Sequence, residues 1–526
     1  MQESFTTTLE HSIFAPILGE SDGQPEIDQP ASAQPTNVLE DLRNLLGVEY
    51  VLAGDESLDA YAKTTLPGGT RPSAIVLPNT TEQVCDIAKI ARRYGIELHA
   101  ISLGKNWGYG DACAPTDGQI IVDLKRMNRI REVNVELGYA IIEPGVSQGQ
   151  MYRYLRDNNL PLLLDVTGAG PEASIVGNIL QRGFGHTPYG DRFRHTSGLE
   201  VVLRDGRVTK TGFGKFDNAK AAEVFPWGVG PWIDGLFTQS DFGIVTSACV
   251  WLMPKPEVIE GFAFSFSDEK LGNVLDAIRR LRLNGTIRST VHIANDLRVL
   301  SSRTTYPWDQ AGDATPLPPA LRESLRRKYG LKAWNVLGGL YGSRAEVRAS
   351  RKALRKELAG LAKVHSFQSR KLHLAERVSK FLSFCRFGRQ LEETVGSVSS
   401  AYDLLRGVPN SEHLRGAHWR TRQGASTDGE SVRNAGLIWI SPVLPMTSGA
   451  AREVLEVAEP LFHAHGFDLL VTMTAITERA LCCVMSINYD KTDACEVKNA
   501  RKCAETLHST LCGLGYYPYR TPSIGY

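Results

Sequence analysis

Between residues 102 and 191 three stretches are rich in glycine: SLGKNWGYG (102–110), DVTGAGPEASIVGN (165–178), which also has few bulky side chains, and GFGHTPYGD (183–191). Glycine permits positive φ, so a loop carrying Gly104, Gly108 and Gly110 can turn successive N–H groups inward as a nest for an anion such as a pyrophosphate. An ordinary tight turn is the better account of one such loop by itself; two in one domain strengthen the case for a ligand lying on the backbone. No G-x-G-x-x-G follows a first strand and no Walker lysine pattern occurs, so neither a Rossmann dinucleotide site nor a P-loop is indicated.

The segments around these loops read as a mixed α+β domain. Apolar runs at 73–77, 97–102, 119–124 and 139–143 predict strands. Val84, Ile87, Ile90 and Ala91 recur at helical spacing behind a Thr80–Gln83 cap, and a second helix is predicted over 148–156. Past Pro254 and Pro256 the texture changes: 262–266 alternates like a half-buried strand, 270–283 is amphipathic, and a basic helix is predicted over 345–364. The division expected is a disordered arm at 1–36, poor in apolar side chains after Leu18, then domains at 37–256 and 257–489 and a closing segment at 490–526.

With 59 basic and 58 acidic side chains, the chain has no charge excess that would call for nucleic acid or an anionic membrane. No apolar run is long enough to span a bilayer and the N-terminus lacks a signal-peptide pattern, which predicts a cytoplasmic protein. The nine cysteines are scattered without a C-x-x-C pair, so they read as reduced packing residues, with neither a disulfide framework nor a metal site.

Several motifs in order carry a family resemblance: RPSAIVLPNTTEQV (71–84), the 104–110 loop, VDLKRMN (122–128), EPGV (143–146), ASIVGN (173–178), HTPYGD (186–191), GLFTQS (235–240) and GIVT (243–246). From about residue 45 onward the chain resembles the vanillyl-alcohol oxidase and p-cresol methylhydroxylase flavoproteins. The resemblance implies a two-subdomain FAD-binding domain of that type, with a cap domain whose antiparallel sheet is flanked by helices, and a C-terminal segment that returns to the site. The implied FAD contacts are Gly104, Lys105, Asn106, Gly108, Pro144, Gly145, Ser174, Gly177, Asn178, Ile244 and Val245, together with His186. By residue type alone, His186 reads equally well as a hydrogen-bonded core histidine.

Tyr109, Tyr519 and Arg520 stand where phenol-oxidising relatives bind the substrate oxygen as phenolate. A free phenol has a pKa of about 10, and lowering it to neutrality takes roughly 4 kcal/mol of preference for the anion. A desolvated guanidinium with two hydroxyl donors is of that order. The implied reaction moves a hydride from the benzylic carbon of a para-substituted phenol to flavin N5 and leaves a quinone methide. Oxygen or a c-type cytochrome would be the electron acceptor, and homodimers are expected by analogy. Two rival readings remain: a 2-hydroxy-acid dehydrogenase in which Arg520 binds carboxylate, and a non-catalytic FAD-binding protein.

Three departures mark this chain. Relatives carry an aspartate near flavin N5 where Thr167, Gly168 and Ala169 stand here, leaving Asp165, Glu172 and Glu478 as substitute acid–base groups. Ala435, Gly436 and Leu437 occupy the place of a covalent FAD tether, which predicts non-covalent FAD, with His413 and His418 as weak substitutes. The sequence stops at Tyr526, short of the tail that touches the cofactor in relatives, so weaker FAD binding or a completing partner subunit is expected.

Overall fold

The computed structural model describes residues 35–382, 386–422 and 429–523. The arm expected at 1–36 lies outside them except for its last two residues, which open the helix Pro35–Leu46.

The first half is built on two sheets. Ala74–Val76, Ile120–Asp123 and Leu98–Ile101 run parallel, with Val51–Leu52 antiparallel at one edge. Ile75, Val76, Ile121 and Val122 are fully buried, as parallel strands covered on both faces require. The helix Thr81–Tyr94 begins where the Thr80 hydroxyl accepts the Gln83 N–H and ends at Gly95 in the left-handed region. Its Val84–Ile87–Ala88 face meets Val38 and Leu42 of the first helix.

The second sheet is antiparallel, in the order Ile130–Asn134, Tyr139–Ile142, Gly243–Trp251, Thr196–Leu203, Val208–Lys210. Helices Gln148–Asp157 and Ile175–Leu180 pack on it. Its register shifts just after Val245. An irregularity of this kind bends a strand and re-aims its side chains, here where Ile244 and Val245 reach the cavity described below.

An eight-stranded sheet spans 258–489 in the order His365–Phe367, Val258–Phe266, Trp334–Gly342, Val291–Asn295, Leu470–Ala475, Ala480–Tyr489, Gly436–Ile440, with Val443–Pro445 also paired to Ala480–Tyr489. Strand alternation divides it cleanly. Phe262, Phe264, Ile293, Val471, Met473 and Ile438 enter the core shared with helices Leu271–Leu283, Ser448–Ala464 and Ala494–Gly513. Their neighbours Ala263, His292, Ala294, Thr472, Thr474 and Trp439 face the cavity. Of the closing segment, the long helix Ala494–Gly513 therefore belongs to the cap core, and only 516–523 runs back toward the first half.

The basic helix expected over 345–364 is shorter than predicted. It runs Arg344–Glu357 behind a Ser343–Glu346 capping box and stops before Gly360, which sits at φ 78°. Among the described cysteines, Cys85, Cys113, Cys249, Cys482, Cys483 and Cys503 are buried and unbridged. No described helix is long and apolar enough to cross a membrane, and the described residues hold no metal-ligand cluster.

Candidate functional site

A cavity of about 760 Å³ lies where the glycine-rich loops of the first half face the polar side of the cap sheet. Its first wall is formed by residues 102–107, the start of a glycine-rich loop. Gly104, Gly108 and Gly110 have φ of 60°, 72° and 112°, conformations side chains resist. The loop is anchored by the buried Asp111 carboxylate, which accepts from the Thr64 hydroxyl at 2.7 Å, the Thr65 hydroxyl at 2.8 Å and the Thr65 N–H. A second backbone wall is held by Ser174, whose hydroxyl donates to the Pro144 carbonyl at 2.6 Å and accepts the Gly177 N–H at 2.9 Å. A Cβ on Gly177 would lie 2.9 Å from Ser102 Oγ and 3.2 Å from Ser102 Cβ, so glycine at 177 lets the two walls approach closely.

Of the cofactor residues expected from sequence, Gly104, Lys105, Asn106, Ser174, Gly177, Asn178, His186, Ile244 and Val245 line the cavity. Three do not. Pro144 and Gly145 lie behind it, where Gly145 is needed for backbone packing: a Cβ there would be 2.7 Å from the Lys125 and Met127 carbonyls. The Gly108 N–H is bonded to Thr65 Oγ1 at 2.8 Å, and its missing side chain makes room for Trp439.

Tyr109, Tyr519 and Arg520, expected to hold a phenolate, converge although the first lies in the glycine-rich loop and the other two near the C-terminus. The Arg520 guanidinium carbon stands 3.7 Å from the Tyr109 ring centre and 5.4 Å from that of Tyr519. Arg520 Nη1 reaches Asn106 Oδ1 at 3.4 Å, while its buried Nε has no hydrogen-bond partner. The Tyr109 hydroxyl pairs with Ser441 Oγ at 2.7 Å. The tail carrying Arg520 is fixed by Tyr519 N–H to the Ser441 carbonyl at 3.2 Å and Ser523 N–H to the Tyr109 carbonyl at 2.8 Å. Burial pushes the Tyr519 pKa well above 10, with Arg520 opposing, so the phenol stays a neutral donor. Burial by itself would depress Arg520, but Tyr519 and Tyr109 hold its pKa up.

The opposite side of the cavity brings His186 and His413, both noted in the sequence, together with His292 and Arg298, which gave no signal there. His186, from the first half, lies 4.5 Å ring to ring from His292 of the cap and 6.1 Å from His413. Burial lowers all three pKa values, that of His413 to about 3, so the imidazoles are neutral. Arg298 stands beside them, 5.5 Å over the Trp439 ring. Nothing in a chain of this length shows that positions 186, 292 and 413 meet; only the crossing of strand Val291–Asn295 over the glycine loops does so.

None of the three substitute carboxylates suggested by sequence lines this cavity. Asp165 is committed elsewhere: it accepts from the His186 and Thr187 N–H groups and the Thr187 hydroxyl, and pairs with buried Arg192 at 3.5 Å. Glu172 is exposed, and Glu478 lies near Arg479.

Two facing backbone walls in close approach at Gly177 fit an elongated, anionic cofactor with a planar head. The family model for the FAD binding domain matches residues 72–212. The chain is 38% identical to 1'-carboxy-chondrochloren decarboxylase of Chondromyces crocatus over 91% of its length and 88% of that protein. It is 33% identical to the 4-cresol dehydrogenase [hydroxylating] flavoprotein subunit of Pseudomonas putida, over 92% of its length and 87% of that subunit. The crystal structure of p-cresol methylhydroxylase with substrate bound superimposes with a TM-score of 0.82 at 31% identity, covering 93% of this chain and 89% of that one. The chain belongs to the vanillyl-alcohol oxidase and p-cresol methylhydroxylase family of FAD-linked oxidoreductases. Its cofactor is FAD.

Proposed function

We propose that the protein oxidises a para-substituted phenol, of the 4-alkylphenol or 4-hydroxybenzyl alcohol type, at its benzylic carbon. The observation that carries this reading is the Arg520 guanidinium, buried with an unpartnered Nε between two tyrosine rings. A desolvated cation lacking an anion is costly, and a phenolate oxygen offers the missing charge. Arg520 would bind that oxygen and stabilise its anion, with Tyr519 as a neutral donor and Tyr109, oriented by Ser441, as the second. FAD, when bound, supplies the hydride acceptor, leaving the substrate as a quinone methide. Gly104, Lys105, Asn106, Ser174, Gly177, Asn178, Ile244 and Val245 would hold it without a covalent link, since Ala435 and Gly436 offer no tether atom. Oxygen or a c-type cytochrome would reoxidise the flavin.

No carboxylate stands at 167–169, so water addition to the methide or loss of a proton would depend on the neutral imidazoles of His186, His292 and His413. A second reading keeps the phenol and adds a carboxyl group to its side chain, as the name of the Chondromyces relative's substrate includes. Arg298, a second cation in the same cavity, favours it.

The test is anaerobic titration of the FAD-saturated protein with 4-ethylphenol, following the oxidised-flavin band, with Arg520→Ala as control. Bleaching in the native protein that is lost in the variant supports the reading. A bound flavin that no phenol bleaches overturns it.

A further inference from the structure

Arg298 lies on the short helix Asp296–Ser301, directly after the cap strand that carries His292. It therefore comes from the cap, on the opposite side of the cavity from the backbone walls. Its guanidinium hydrogen-bonds the Ser301 hydroxyl at 3.2 Å and lies over Trp439, and no described carboxylate pairs with it. Burial pulls its pKa down to about 10, so it remains charged at neutral pH.

Ser301, Trp439 and His413, which neighbour Arg298, carry no charge. His413 is uncharged and packs against Gly168, whose Cβ would lie 3.2 Å from the His413 Cβ. The 167–169 stretch, where the family resemblance implies an aspartate, contributes only Thr167, Gly168 and Ala169. The cavity also carries Glu393 and Glu412, but Glu412 pairs with Arg415 and Glu393 acts on Arg303, so among the described residues Arg298 has no carboxylate partner. Such a charge is stabilised by an anion brought in by a ligand.

Trp439 lines the same cavity. Its indole fills the space left by Gly108, next to Tyr109, and lies under Arg298. Arg298 and Arg520 both face this one continuous cavity.

We propose that Arg298 is the binding site for a carboxylate on the side chain of the phenolic substrate, so that the preferred substrates are 4-hydroxyphenyl alkanoic acids and larger acids built on them. This rests on the phenol reading above. One cation takes the phenolate and the other the acid, so the substrate is held at both ends with its benzylic carbon between them. A planar guanidinium donates two parallel N–H bonds to a carboxylate, a geometry that an alkyl or amide group cannot match.

The experiment measures dissociation constants by calorimetry on the FAD-saturated protein for 3-(4-hydroxyphenyl)propanoate and its neutral amide. In the native protein the acid binds more tightly by on the order of 10- to 100-fold, the worth of a desolvated charged pair. In Arg298→Gln the acid-to-amide ratio falls to within about threefold, and Arg298→Lys restores part of it. Equal binding of acid and amide by the native protein overturns the proposal, as does a preference that survives in Arg298→Gln. An Arg298→Gln protein that no longer retains FAD also overturns it, because the cation then serves the cofactor. Bleaching of the native flavin by 4-propylphenol, which has no acid, is scored separately: its failure removes the phenol reading, whereas its success beside equal acid and amide binding removes only the role of Arg298.

Discussion

The Arg520 guanidinium is stacked on the Tyr109 ring, 3.7 Å from its centre, although one residue comes from a glycine-rich loop and the other from the C-terminal segment. Stacking fixes the plane of the cation and leaves its edge for hydrogen bonds.

The first prediction concerns pH. Burial keeps Tyr519 protonated well above pH 10 and Arg520 stays charged, so neither titrates in the working range. The group that titrates is the substrate phenol, whose pKa the cation lowers, so the reactive anion is present above that lowered value. Flavin reduction by 4-ethylphenol should level off well below pH 10 in the native protein. In Tyr519→Phe the inflection should move up by on the order of one unit toward the free phenol, as stopped-flow rates across pH 6–10 would show.

Gly110→Ala should weaken phenol binding without touching the substrate. Gly110 has φ 112°, and a Cβ there would sit 1.9 Å from Ser523 Oγ. The 519–523 segment would be pushed off Tyr109, raising KM for phenols by about tenfold, with a backbone strain of about 1–3 kcal/mol. Steady-state kinetics and urea unfolding separate the two effects.

Asp165→Asn should cost stability rather than act on proton transfer. It leaves the Arg192 guanidinium, buried and bonded to Asn178 Oδ1 at 2.8 Å, without its counter-charge. Breaking a buried pair from one side costs about 3–5 kcal/mol, readable as a lower urea midpoint at unchanged m-value.

The buried histidines make the protein acid-sensitive. Their folded pKa values lie below the unfolded value of about 6.5, that of His413 near 3, so the unfolded chain binds more protons in this window. Stability should fall as pH drops from 6.5 toward 3, by up to about 1.4 kcal/mol per unit for each such group. His413→Gln should flatten that slope in unfolding curves taken between pH 7 and 4.5.

Local signals were the legible part of this fold. Thr80 followed by Val84, Ile87 and Ala91 specifies the helix Thr81–Tyr94 by capping and periodicity alone, and Phe262, Phe264 and Phe266 show the inward face of their strand. The meeting of Tyr109 with Arg520 was readable only through ordered motifs, because no local pattern connects positions so far apart. Gly145, a cofactor contact only by resemblance, stands against the Lys125 and Met127 carbonyls rather than on the cavity lining. A glycine that admits a ligand and one that admits a carbonyl look the same in sequence. Arg298 and His292 gave no signal because their roles depend on which side of a cap strand faces the cavity, a property of the assembled sheet.

That sheet also limits how a protein of this design can change. In the strand Gly436–Ile440, Leu437 and Trp439 face the cavity while Ile438 and Ile440 face the cap core, and each is registered against Ala480–Tyr489. Inserting one residue would turn the indole into the core and an isoleucine onto the substrate side, and would shift Ser441 away from Tyr109 and Tyr519. Evolution can therefore vary substrate preference here by exchanging side chains at positions 437 and 439, whereas insertions and deletions are confined to the connections outside the strand.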